Sequence, residues 1–252
     1  SPIFPEAEMQ VTIENNRQQF LVNSTKVDVM ARKEFSRALF GKNHPCGRHA
    51  VLEDYECLTT EHLKDFYHRY YHSGNCSIFL SGNISEMIIH QVRDELGSSP
   101  WGSMHPCEPL SPLPIPGYEG RRIILEHPTA VQSSLRLGCP LVDRTHPDFA
   151  ALKVLVTVLG GYFGSRLMSN IREEKGYTYG INASIASFPF QGYLAIGTET
   201  DNEYVEPCIR EVKYEMRRLQ EELIPEQELS MVKNYMIGEM CRNYEDPFSL
   251  SD

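Results

Sequence analysis

LGGYFGSRLMSNIREEKGYTYG, residues 159–180, carries the densest structural signal in this chain of 252 residues. Gly160 and Gly161 open it, apolar residues recur at Phe163, Leu167, Met168 and Ile171, and the pattern breaks at Lys175-Gly176. That is a helix with one apolar stripe, ending at a glycine. Residues 177–188 are rich in β-branched and aromatic side chains and read as a strand that begins directly after the turn. Arg172 falls in the last helical turn and Tyr179 at the start of the strand. A tight reversal there aims a guanidinium fork and a phenol hydroxyl at one region, a combination suited to a carbonyl or a carboxylate. Two blander explanations compete. A cation at a helix C-terminus is favoured by the helix dipole, and Tyr179 shares strand parity with Ile181 and Ile185, which would place it in the core.

Upstream of this stretch, residues 121–126 and 132–138 read as strands, and 147–159 as a helix with Phe149, Leu152, Leu155 and Val156 inward. Downstream, 181–188 and 193–198 form an antiparallel hairpin joined through the longer loop 188–192. Asp201-Asn202-Glu203 starts a long helix to Leu223 with Val205, Ile209, Val212, Met216 and Leu219 at helical spacing, and Pro225-Glu226 starts a last one.

Nearer the beginning, Pro5 and the acidic Glu6 start a helix carrying Met9, Ile13 and Phe20, followed by a second helix over 26–40. The segment 41–48 is loop by its Gly and Pro content. A helix capped by Thr59 runs to Tyr71, residues 75–81 read as a covered strand, and an amphipathic helix over 85–96 turns Met87, Ile88, Val92 and Leu96 inward. Residues 97–120 hold six of the sixteen prolines and cannot be helix or central strand. The domain boundary is therefore drawn there: 1–97, a linker over 98–120, and 121–252. Strands covered by helices imply an α+β fold, each domain an antiparallel or mixed sheet with helices on one face.

The charge of −10 and pI near 5.4 argue against a nucleic-acid surface and favour basic or unfolded peptide ligands. The seven cysteines form no CxxC pair, which suggests reduced thiols and a cytoplasmic protein. No run approaches the roughly 18 apolar residues of a membrane span. A chain opening on Ser1 and stopping just after a helical pattern reads as a fragment.

LGGYFGSRL followed by IREEKGYTYG, His44-Pro45 with Gly47-Arg48, and LTTEHLKDFYHRYYHSGNCSIFLSGNIS over 58–85 together resemble the insulinase/pitrilysin/mitochondrial processing peptidase family of zinc peptidases. The resemblance covers nearly the whole chain and implies two related α/β sandwich domains, the first incomplete. It also implies that Arg172 and Tyr179 contact a peptide substrate across a chamber from the zinc.

A zinc peptidase needs two histidines on one helical face and a glutamate base. The family's HxxEH occurs nowhere in this chain. Where the resemblance implies the third ligand, near Phe20, positions 15–26 contain no acid and Glu14 is the nearest carboxylate, about a turn and a half away. His68 and His72 have metal-compatible spacing but no third partner nearby, and the same is true of His44 and His49. No catalytic residue and no metal ligand are therefore expected in this chain. Zinc is left to the family or to a partner subunit. The expected partners are a peptide or unfolded polypeptide and a homologous zinc-bearing subunit or a second copy, with neither nucleic acid nor membrane. Two alternatives stay open: a metalloendopeptidase whose HxxEH lies upstream, and a structural subunit of the kind the family supplies to respiratory complexes.

Overall fold

The computed structural model describes residues 2–102, 111–113 and 122–251, so most of the proline-rich linker drawn over 98–120 lies outside the described residues. The backbone forms two compact units that interleave in sequence. One comprises 1–20, 50–110 and 236–252, the other 21–49 and 111–235. Residues 21–49 therefore group with the later part of the chain rather than with 1–97, because the second helix packs on that unit's sheet.

The first unit is helical. It takes the first turns of α1 (Glu6–Ser24), then α3 (Leu52–Glu56), α4 (Thr60–Tyr70), α5 (Glu86–Val92), the end of α8 (Glu226–Glu245) and α9 (Pro247–Ser251). Thr59, the predicted N-cap, accepts from the His62 amide at 3.3 Å, and Ser85 accepts from the Ile88 amide at 3.4 Å, so each hydroxyl satisfies an orphan donor. Residues 76–81 are not a strand. An apolar run becomes a strand only against a partner, and among the described residues nothing pairs with it; Ile78, Phe79 and Leu80 are exposed. Met87, Ile88 and Leu96 are likewise exposed rather than inward.

The second unit is built on three antiparallel strands, β1 (Gln132–Leu141), β2 (Thr178–Phe188) and β3 (Gln191–Asp201), in the order β1-β3-β2. Residues 122–126, read as a further strand, have no place in this sheet. The β2–β3 connection is tighter than expected: Phe188 pairs with Gln191, leaving only Pro189 and Phe190 in the turn, with Phe190 at φ 69°. One face of the sheet meets α6 (Phe149–Val156), the π turns Thr157–Gly161 and Met168–Glu174, and α7 (Val205–Glu221). Leu167, Ile171, Ile181, Ile196 and Val212 close that core, each at 3% exposure or less. Burying side chains of this size contributes roughly 1.5–3 kcal/mol apiece. On the opposite face, α2 (Val27–Phe40) lays the Phe35 ring 6.0 Å from that of Tyr193.

Candidate functional site

The stretch 159–180 is held against β2 by close backbone approach. A Cβ at Gly160 would lie 2.6 Å from the Ala183 amide nitrogen, so only glycine brings the π turn this near the strand. After a loop, Leu167, Met168 and Ile171 turn inward as their spacing predicts. The chain then reverses sharply: Tyr177 donates its amide to Ile171 O at 3.0 Å and Lys175 to Asn170 O at 3.2 Å, with Gly176 at φ 67°.

Tyr179 does not follow the strand parity that would bury it. Thr178 pairs with Thr200 and Ile181 with Thr198, so Tyr179 and Gly180 share the single partner position at Glu199. This is a β-bulge, one extra residue on β2. Thr178 and Ile181 face the core, while Tyr179 leaves on the other side and is 92% exposed. Hydroxyls hold the bulge. Thr178 Oγ1 accepts from the Gly180 amide at 3.1 Å and donates to Glu199 O at 2.6 Å; Thr198 Oγ1 donates to Gly180 O at 2.9 Å, and Thr200 Oγ1 to Tyr177 O at 2.5 Å. All three threonines are buried.

Arg172 sits in the π turn Met168–Glu174 with its guanidinium 4.5 Å from the Phe163 ring centre, and a Glu173 carboxylate oxygen lies 4.0 Å away. Phe163 is therefore not one of the inward residues: it is 64% exposed and serves as the platform for Arg172. Its place in the loop before the helix, rather than within it, frees it from the apolar stripe. Arg172 and Tyr179 flank the same reversal, and neither lines either of two cavities that the described residues of this unit enclose.

Behind the π turn lies a polar network. Asn170 Nδ2 donates to buried Glu215 at 2.7 Å, Lys175 Nζ contacts Glu211 at 2.5 Å, and Arg166 forms a forked pair with Glu228. The Lys175 hydrogen bond holds the Glu211 carboxyl below its usual range, and the Glu228 hydrogen bond raises Arg166. The cavity here, about 770 Å³, is lined by four cations and four carboxylates, so its formal charges balance. A second cavity of about 580 Å³ lies between α2 and the other face of the sheet. Its wall includes Tyr193, whose hydroxyl is pushed up by burial.

The described residues do not fit a zinc ion. No group of three or more His, Cys, Asp or Glu among them is placed to hold a metal. Both Glu14 oxygens accept within α1, from Gln18 at 2.8 Å and from Arg17 at 3.4 Å. α4 ends at Tyr70, so His72 has left the helix that carries His68 and the i,i+4 geometry is lost. His44 Nδ1 accepts from the Cys46 amide at 3.1 Å while its ring stacks on Phe40, and His49 Nε2 is 2.6 Å from Ser36 Oγ.

The peptidase M16 inactive domain family matches residues 58–236. The chain is 28% identical to an uncharacterized zinc protease, YmxG of Bacillus subtilis, over 83% of this chain and 50% of that protein. It is 24% identical to a non-peptidase homolog, YmxG of Helicobacter pylori, over 96% of this chain and 56% of that protein. The crystal structure of a peptidase M16 inactive domain from Pseudomonas fluorescens superposes with a TM-score of 0.75 at 26% identity, covering 96% of this chain and 58% of the other. The chain thus spans about half the length of the curated relatives it matches.

Proposed function

The chain belongs to the peptidase M16 inactive-domain family, and we propose accordingly that it is the noncatalytic, peptide-contacting part of a zinc-peptidase-like assembly. Arg172 and Tyr179 contact the peptide. The observation that carries this reading is the bulge at Tyr179. Bulges are over-represented where a side chain is re-aimed beside an active site, and this one turns a phenol to 92% exposure while buried hydroxyls fix its backbone. A tyrosine presented in this way offers a broad apolar face and one polar atom to an incoming chain. Arg172, spread over Phe163, keeps N–H donors for the peptide's carbonyls or a carboxylate.

In this reading a homologous zinc-bearing subunit carries out hydrolysis. The non-peptidase homolog from Helicobacter pylori is consistent with that division of labour. The test is to assay the full-length protein, alone and with a zinc-bearing homologue, on a labelled unfolded peptide. The double variant Arg172→Ala/Tyr179→Phe should lower cleavage by the pair about tenfold or more, the effect of losing hydrogen bonds that include a charged one, without changing zinc content. Stoichiometric zinc binding and cleavage by the full-length protein alone would overturn the proposal. Unchanged cleavage by the double variant would favour a purely scaffolding role.

A further inference from the structure

We propose that the cavity between α2 and the open face of the β1–β3–β2 sheet is a subsite for a carboxylate carried by an extended peptide. The inference rests on the peptide-contacting reading above and specifies its ligand. The chain as a whole carries −10, yet the lining of this cavity includes Arg32, Lys33 and Arg136 and no Asp or Glu. The side chains that face the cavity are thus cationic and donor-rich, and they favour the opposite of the basic peptides that the overall charge suggests.

The two arginines are set in place for this. Arg32 is anchored by Asp28 at 2.7 Å and Arg136 by Glu199 at 2.9 Å, both acids standing outside the lining. One anchoring carboxylate fixes the plane of a guanidinium that has five N–H donors in all. Arg136 lies against Gly197, where a Cβ would come 2.7 Å from Arg136 Nη1, and its Nη1 donates to Leu135 O at 2.9 Å. Phe35, Ala195 and Tyr193 supply apolar wall, which lowers the local dielectric and strengthens attraction to an anion. At about 580 Å³ the cavity falls in the range of ligand sites.

Asn182 and Ser184 bring β2 to the same cavity. Tyr179 lies three residues before Asn182, roughly 10 Å at a strand's rise per residue, and leaves β2 on the side away from the core. A few residues of extended peptide therefore reach from Tyr179 to the cationic floor.

The experiment uses the whole chain and a short labelled unstructured peptide in three forms: a free C-terminus without acidic side chains, an amidated form with one central glutamate, and an amidated form with no acid. Anisotropy at low salt should show at least one acidic form binding about tenfold tighter than the acid-free form; which of the two gains identifies the terminal or the side-chain carboxylate as the source. Arg32→Gln/Lys33→Gln, on a helix where the Arg32 side chain is 60% exposed, should erase the preference while circular dichroism stays unchanged. Equal binding of all three forms, or a preference that survives the double variant, overturns the subsite and leaves peptide contact at Tyr179 standing. Failure of every form to bind removes both.

Discussion

Arg166 and Glu228 meet through two parallel hydrogen bonds of 2.8 Å, Nε to Oε1 and Nη2 to Oε2. The pair ties the start of the motif helix to the first turn of α8, with side-chain exposures of 8% and 23%. Glu228→Ala leaves a buried guanidinium without its counter-ion and should destabilise the chain by about 3 kcal/mol. Arg166→Lys keeps the charge and loses the fork, and should cost less, about 1–2 kcal/mol. Urea unfolding of the two variants beside the wild type measures both, and a Glu228→Ala midpoint equal to wild type would show that the pair contributes nothing.

Glu211 gives the stability a defined acid limb. Its carboxyl is held below the ordinary value of 4.5 first by the Lys175 hydrogen bond and then by Asn170, against the opposing effect of burial. A depressed carboxylate contributes stability above its unfolded pKa and loses it as pH falls through the folded value. Wild type should therefore exceed Glu211→Gln in stability by about 1 kcal/mol above the ordinary carboxylate value of 4.5, with the gap closing as pH falls below it. The difference between the two denaturation profiles isolates this group from the exposed acids; a gap that is flat across the interval would contradict it.

Thr178→Val keeps the shape of the side chain and removes the hydroxyl that serves both Gly180 and Glu199. Losing these two part-buried hydrogen bonds should cost about 1 kcal/mol. The larger effect is expected on presentation of Tyr179: amide exchange at Gly180 accelerates and peptide affinity falls, although Tyr179 itself is untouched. Unchanged exchange at Gly180 would mean that the bulge is held by other contacts.

Gly160 and Gly180 belong to the same motif and should respond oppositely to a methyl group. An alanine at Gly160 would press its Cβ within 2.6 Å of the Ala183 backbone, whereas at Gly180 nothing lies within 4 Å. Gly160→Ala should destabilise by about 1–3 kcal/mol, while Gly180→Ala should be neutral or slightly stabilising through the unfolded chain. Thermal unfolding of the pair distinguishes them in one experiment.

Long periodic segments are legible in the residues alone. The stripe of Val205, Ile209, Val212 and Met216 encodes α7, and the alternation around Leu194 and Ile196 encodes β3, because each pattern is local. Residues 76–81 and 122–126 look like strands and are not, since pairing is a property of two segments and an apolar run does not say whether its partner exists. The direction of Tyr179 is hidden for a different reason: a single inserted residue shifts the phase of a strand, so parity counted back from Ile181 points the wrong way. Phe163 keeps helical register with Leu167 and Ile171 yet lies outside the core, because spacing is blind to a loop that precedes the first full turn. The cationic cavity joins Arg32 to Arg136, more than a hundred positions apart, and only the packing of α2 on the sheet brings them together.

The π turn over Met168–Glu174 has a consequence for how this protein tolerates length changes. A π segment amounts to an α-helix with one residue too many, kept in that wider winding by its surroundings. A deletion of one residue within it relieves that excess and lets the segment rewind as α-helix, so the residues beyond the deletion keep nearly the same direction around the axis. The same deletion in a regular helix such as α7 rotates everything beyond it by about 100° and turns its apolar stripe out of the core. Tolerance to a lost residue is therefore concentrated in the wide turn that carries Arg172.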